Sequence, residues 1–274
     1  SGKILKISEE ILPHPSGLPD FCITIEPDFE DTWIEKKPIS WKKIDRAQLI
    51  EALTQSGIVG LGGAVFPTHM KLKINQNQTI HTLVINAAEC EPFITCDDML
   101  MRERADEIIQ GALITQTILG AEKCVVGIED NKIESYEALK KAAQKTTVEI
   151  KVVPTLYPSG DAKRLIYLLM GIEVPKEKRS VDLGIQVFNV ATVAAIYRYL
   201  ELGEPSISRI VTITGAVKTP QNFEVLFGTP LSDLINAAGG SSSKPKKFIM
   251  GGPMMGFDLP SIHVPVTKAM NCVI

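Results

Sequence analysis

Clustered cysteine, histidine at metal-binding spacing, long apolar runs and an excess of one charge are all missing from this chain. Its five cysteines, Cys22, Cys90, Cys96, Cys124 and Cys272, form no CxxC pair and are odd in number. Scattered single thiols in a chain of 274 residues read as reduced cysteines of a cytosolic setting, not as a disulfide framework. They cannot hold an iron–sulfur cluster unaided, because that chemistry needs closely spaced thiolates. The four histidines, His14, His69, His81 and His263, show no HExxH or comparable spacing, and no Ser/His/Asp set has a recognisable elbow. The formal charge is −3, with no basic tail and no aromatic-interleaved basic stripe. That balance argues against a nucleic-acid partner. No apolar run approaches the ~20 residues needed to cross a bilayer; the best candidate, residues 108–119, is interrupted by Gln110, Thr115, Gln116 and Thr117 and reads as a core helix. There is no signal-peptide pattern. The opening Ser1-Gly2-Lys3-Ile4-Leu5-Lys6-Ile7 alternates like a strand and has no initiator Met, which predicts a piece of a longer chain whose membrane link, if any, comes through partners.

What is present is ordinary globular material, 45% hydrophobic and 22% charged, enough for one large domain and one or two small ones. Residues 3–7 and 21–26 read as two short strands around the turn-forming Pro13-His14-Pro15-Ser16-Gly17, and residues 28–38 as a linker. Two strands alone are marginal in water, so this piece is expected to lean on something else. A helix capped by Asp45 runs to Gly57. Strands are expected at 81–86, 123–128 and 148–153, with helices between them at about 98–119 and 132–144. Thr95 and Asp98 have the spacing of a capping box for the first of these helices. Strand–helix–strand–helix–strand implies a parallel sheet covered on both faces. Further helices follow Gly160 and span 189–202. From residue 205 the texture changes: strands at 209–214, 223–227 and 247–250 and a helix at 230–238 suit a small α+β module of β-grasp type.

Four segments are candidates for chemistry. Residues 57–71 hold a glycine-rich loop, then Phe66-Pro67 and Lys71. Glycines let a backbone turn sharply and present N–H groups to an anion. The loop is neither a Walker loop nor a Rossmann fingerprint, so a structural loop and a phosphate cradle both remain open; the aromatic ring and the cation tilt towards the cradle. Asn86-Ala87-Ala88-Glu89-Cys90-Glu91-Pro92 follows a strand, where ligands of open parallel sheets sit. Its two acids suit ribose or carboxamide groups, or are simply a solvated acidic loop. Tyr157-Pro158-Ser159-Gly160-Asp161 and Asn189-Val190-Ala191-Thr192 read, each alone, as helix caps. Met250, Met254, Met255 and Met270 read as core fillers, and Glu129-Asp130 as a cap.

Together, in this order, the segments resemble one family. Gly60-x-Gly-Gly-Ala-x-Phe-Pro-Thr-x-x-Lys71 followed by Asn86-Ala-x-Glu-x-Glu-Pro92 is similar to the flavin-binding subunit of respiratory complex I. The longer strings, with Thr95-Cys96-Asp97-Asp98, Pro13 to Gly17 and Ile25-Glu26-Pro27-Asp28, resemble the RnfC family of Rnf-type electron-transport complexes. The resemblance implies an α/β fold: a Rossmann-like parallel sheet with helices on both faces (39–204), then a soluble-ligand-binding β-grasp (SLBB) domain (205–274), after remnant β strands and a linker (1–38). It implies FMN against Gly60, Gly62, Gly63 and Ala64, with Lys71 at phosphate or nicotinamide ribose and Phe66 at the adenine end. Asn86 would hydrogen-bond flavin, Glu89 and Glu91 would face flavin and NADH, and Tyr157, Gly160, Asp161, Asn189 and Thr192 would form two further flavin-contacting loops. No acid–base residue is implied, because hydride transfer from NADH to flavin is cofactor chemistry. The implied partners are the other subunits of the Rnf complex, NAD(H) and, indirectly, ferredoxin. The implied place is the cytoplasmic face of the inner membrane, with no direct insertion, and the 4Fe-4S clusters belong to the full-length protein only. Three departures matter: the family's cysteine-rich ferredoxin region and the first half of its small β-domain are absent from this stretch, and Val65 stands where the family has glycine, strained there if φ is positive. Readings outside this one are a cobalamin reductase of propanediol-utilisation type, a non-catalytic scaffold like that of the sodium-pumping quinone reductase, and a ligand-sensing β-grasp protein.

Overall fold

The computed structural model describes residues 2–30, 32–74 and 78–274. An antiparallel hairpin, β1 (Gly2–Ile11) and β2 (Pro19–Pro27), comes first, with Lys3 opposite Glu26 and Ile11 opposite Pro19. Its apolar side chains, Ile7 and Phe21 among them, stay more than half exposed. Helix α1 (Arg46–Gln55) begins at a capping box: Asp45 accepts from the Gln48 N–H and the Gln48 side chain accepts from the Asp45 N–H. The glycine-rich loop then leads into the one-turn α2 (Thr68–Leu72).

The main domain is a four-stranded parallel sheet of β3 (Thr82–Ala87), β4 (Lys123–Glu129), β5 (Val148–Val153) and β6 (Ile185–Asn189), in the order β5-β4-β3-β6. Its helices are α3 (Cys96–Glu103), α4 (Ala105–Leu119), α5 (Ile133–Ala143), α6 (Ala162–Met170) and α7 (Val190–Leu202). Strand alternation sorts the core into two layers. Leu83, Ile85, Val126 and Ile128 pack with Ile108, Leu139 and Val193 of α4, α5 and α7. Val84, Val125, Ile185 and Val187 pack with Leu165 and Ile166 of α6 on the other face. A Cβ at Gly111 would overlap the Val193 carbonyl, so glycine lets α4 and α7 touch backbone to backbone. The sheet is therefore parallel and covered on both faces, as the alternating pattern predicts.

Three expectations need correction. The single helix over 98–119 is two, because Arg104 leaves helical geometry (φ −135, ψ 38) and breaks it. Thr95 does not cap α3: its hydroxyl turns to Asn222 in the second domain, while Asp98 accepts from Ser135 and Arg102. β6 lies just ahead of the expected helix start at 189, a five-residue apolar strand too short to stand out from its loop.

The second domain comprises β7 (Ser208–Ile213), β8 (Gln221–Leu226), α8 (Leu231–Ala237), β9 (Ile249–Met250), β10 (Phe257–Asp258) and β11 (Cys272–Val273). Its sheet runs β10-β9-β11-β7-β8, with β11 parallel to β7, over a core of Val211, Leu231, Val266 and Met270. Met250 and Met270 fill this core, but Met254 and Met255 do not: both are exposed on the glycine-rich turn 251–256.

Candidate functional site at the strand tips

In a parallel sheet all carboxyl ends share one edge. Here β4 and β5 lie on one side of β3 and β6 on the other, so the chain reverses direction across the sheet between β3 and β6. Such a switch point leaves a crevice that loops do not cover. Asn86 and Asn189 are register partners across it.

The β6 end is built from the glycine-rich loop. Gly60 N–H donates to Phe66 O (2.8 Å) and Val65 N–H to Gly60 O (3.1 Å), which closes the turn. Leu61 N–H donates to Thr192 Oγ1 (3.0 Å), tying the loop to α7, and Arg209 of β7 holds the Leu61 carbonyl (2.9 Å). A Cβ at Gly62 would stand 3.3 Å from Asn189 Nδ2, and Gly63 has φ +106, so close approach and backbone conformation both favour glycine. The N–H groups of Gly62, Gly63 and Ala64 donate to no acceptor among the described residues, and Gly62 and Ala64 are exposed. Val65 has φ 53, so the condition for strain at this position is met, and Phe66 is exposed beside it. Asn189 caps α7 by accepting from Ala191 N–H (2.9 Å) and donates to Asp97 Oδ2 (2.6 Å).

At the β5 end, Asn86 Nδ2 donates to Gly160 O (2.8 Å) while its Oδ1 accepts from Ala88 N–H (3.0 Å). Gly160 N–H points at Cys90 Sγ (3.3 Å), and Ser159 Oγ donates to Glu129 Oε1 (2.8 Å). Asp161 caps α6, accepting from the N–H groups of Lys163 and Arg164. Both cap readings thus hold, for Asp161 and for Asn189. Glu129 and Asp130 do not cap α5: Glu129 is buried against Ser159, and Asp130 accepts from Thr155. Tyr157 is 38% exposed on this rim.

Three expected ligand-facing residues are engaged within the protein. Glu89 turns inward, 4% exposed: it accepts from the Asp97 and Asp98 N–H groups at the start of α3 and pairs with Lys132 (3.1 Å). Burial still raises its carboxyl, with Lys132 opposing. Glu91 reaches the second domain, accepting from Met254 N–H (2.6 Å) and Met255 N–H (2.9 Å), and its carboxyl fills the space a Cβ on Gly252 would take. Lys71, on α2, donates to Val187 O (2.9 Å) near the end of β6, and burial lowers its pKa. The structure also places Asp97, Lys132, Arg209 and the 251–256 turn here, none of them expected from sequence to take part in the site. Arg209 left one signal, a lone cation in an otherwise apolar strand; the turn left another, its string of glycines.

With this geometry in hand, comparison with known proteins is direct. Residues 53–198 match the family described as the Nuo51 FMN-binding domain, more than half of the chain. The chain belongs to that family. Residues 210–258 match the SLBB domain. Within the family it is a member of the RnfC group, the C subunits of ion-translocating oxidoreductase complexes. Over its whole length it is 46% identical to the C subunit of that complex from Erwinia tasmaniensis, 48% to the one from Haemophilus influenzae (strain KW20 Rd) and 47% to the one from Yersinia pestis (strain Antiqua). The chain spans 34%, 34% and 44% of those three proteins. Among solved structures, an NAD+-reducing NiFe hydrogenase in its H2-reduced state superposes with a TM-score of 0.71 at 21% identity, over 84% of this chain and 47% of that one, a likeness of fold. Among the described residues no helix is long and apolar enough to cross a membrane.

Proposed function

We propose that the strand-tip crevice binds FMN and NAD(H) and is the electron-entry module of an ion-translocating oxidoreductase complex, held at the cytoplasmic face of the membrane by partner subunits. Electrons would pass to 4Fe-4S clusters outside this stretch of chain and so reach ferredoxin indirectly. The observation that carries the reading is the run of three unpartnered N–H groups at Gly62, Gly63 and Ala64, at the switch point of a parallel sheet. Consecutive backbone donors suit anionic oxygen, whether of a phosphate or of charge developing on a flavin ring. The residues fit the group further: the buried Thr68 hydroxyl, at the start of α2, has no partner among the described residues. Phe66 and Tyr157 offer partly exposed rings to stack on.

A flavin held there by the loop of Gly60, Gly62, Gly63 and Ala64 would supply two-electron hydride chemistry and one-electron release. The chain's own part is to bind and orient. Gly60, Gly62, Gly63 and Ala64 form the cradle and Thr192 fixes it to α7. Asn86 and Asn189 set the two lips, while Gly160 and Asp161 fix the opposite loop. Glu89 stiffens the floor from below, Glu91 secures the second domain as a side wall, and Lys71 places positive charge behind β6. NADH added anaerobically to flavin-loaded protein should bleach the flavin in a single turnover. A second reading, a non-catalytic scaffold, draws on Val65, a branched side chain held at positive φ inside the cradle. Bound flavin that NADH leaves oxidised would favour it.

A further inference from the structure

Beneath the crevice, where α3, α4 and α7 meet β7 and β8, lies a cavity of about 60 Å³, above the ~10–15 Å³ that holding a water requires. Asp97 lines it, as do Arg104, Glu107, Arg198 and Glu224. Those four pair off, Arg104 with Glu224 and Arg198 with Glu107, and their side chains are 22–42% exposed, so the charged lining continues to solvent. Asp97, tied to Asn189 at the foot of the crevice, is thus part of the wall of a cavity that lies along the domain seam.

That carboxyl differs from its neighbours. Glu89 has Lys132, Glu107 has Arg198 and Glu224 has Arg104. Among the described residues Asp97 has no ion pair and accepts only from the Asn189 amide. Arg209 is close, yet its guanidinium is taken by the carbonyls of Ile210, Lys268 and Leu61. Other groups around Asp97 are Glu89 from the β3–α3 loop, Lys132 ahead of α5, Cys96 beside it on α3 and, beyond Glu89, Cys272 on β11. Burial pushes the Cys96 thiol well up and the Cys272 thiol to about 12, so neither carries charge at neutral pH. Burial and the Glu89 charge raise Asp97 to about 7, against the pull of Asn189, Arg209 and Lys132.

We propose that Asp97 exchanges one proton between the strand-tip crevice and solvent, with this cavity as the route. The role rests on the flavin reading. A hydride brings one proton and two electrons to the site; when the electrons leave singly to an iron–sulfur acceptor, the proton stays behind. The Asp97 carboxylate takes it, becoming the carboxylic acid, and returns it to water in the cavity. The bond that held the proton at the site breaks as the carboxylate O–H forms, and that O–H breaks in turn as water takes the proton.

The test begins on protein without flavin, by carbon-13 NMR titration of aspartate carboxyls. One aspartate should titrate near neutrality and vanish from the spectrum in Asp97→Asn. Asn189→Ala should move its midpoint up by about half a unit or more, since that amide favours the ionised form; this shift carries the assignment if Asp97→Asn does not fold. With flavin bound, the pH dependence of its midpoint potential should bend near the Asp97 midpoint in the wild type and lose the bend in Asp97→Asn. Ala195→Leu, which fills the cavity, should keep the midpoint and slow proton release to an indicator dye by about tenfold or more. Release at the wild-type rate would overturn the route. Flavin uptake with every aspartate titrating below about pH 5 would overturn the inference and spare the flavin reading. A neutral-range Asp97 in a protein that takes no flavin would overturn the flavin reading and the proton role with it, leaving only the raised carboxyl.

Discussion

The two ends of the crevice are made of the same materials, a strand tip, a glycine and a helix start, yet they are finished differently. At the β5 end the backbone groups are tied down, Asn86 to Gly160 and Gly160 to Cys90, and Ser159 holds one oxygen of Glu129, whose buried Oε2 has no partner among the described residues. At the β6 end three successive N–H groups of the glycine-rich loop have no partner among the described residues, and Asp97 has an amide where a cation would be expected. Three successive donors that the protein leaves free can turn together to one anionic oxygen, which is why the proposed cofactor site is put at this end. On the proposed reading the β5 end serves as the wall.

The sharpest way to break this contrast is Gly63→Val. At φ +106 a branched side chain is strained, and it would also stand among the open N–H groups. Flavin affinity should fall by roughly 100-fold or more, about 3 kcal/mol, with the fold retained by circular dichroism. Wild-type affinity would move the cofactor away from the β6 end. Gly160→Ala should behave in the opposite manner. Its Cβ would lie 2.7 Å from Ala88 O and 3.0 Å from Cys90 Sγ, overpacking worth about 1–3 kcal/mol. Urea unfolding should show that loss, while flavin affinity changes less than stability does. Glu91→Gln weakens two charge-assisted bonds to the 251–256 turn; about 1 kcal/mol of stability should go, and amide exchange at Met254 and Met255 should quicken. Unchanged exchange would mean that the turn is held by other contacts. Smallest is Val65→Gly, which removes left-handed strain worth ~1–2 kcal/mol but restores backbone entropy of ~1 kcal/mol. Stability should change little and flavin affinity should hold or rise. A protein that binds flavin only after this change would support the scaffold reading.

Most of the main domain was legible because its signals are local. The runs at 81–86, 123–128 and 148–153 are apolar enough to be buried on both faces, and α5 carries its acids early and its lysines late. The α3–α4 break was not legible, since Met101, Ile108 and Ala112 keep one periodic face across Arg104 and only tertiary packing interrupts the helix. At the site, the four loops could be picked out by their residue types and by family resemblance. What their side chains do could not, because it depends on partners far along the chain. Glu89 and Glu91 sit two residues apart in one loop, yet one turns down to Lys132 and the other crosses to the 251–256 turn, 163 residues away at Met254. No spacing rule connects Glu91 to Gly252 or Asp97 to Asn189; the folded strand edge does.

Calorimetric titration of FMN into the wild-type protein, read alongside quenching of flavin fluorescence, addresses the open donors of the β6 end most directly. One flavin per chain, with its fluorescence quenched by the protein and its binding lost in Gly63→Val, is the predicted result. A folded protein that takes up no flavin, or takes it up equally well in Gly63→Val, would contradict the account.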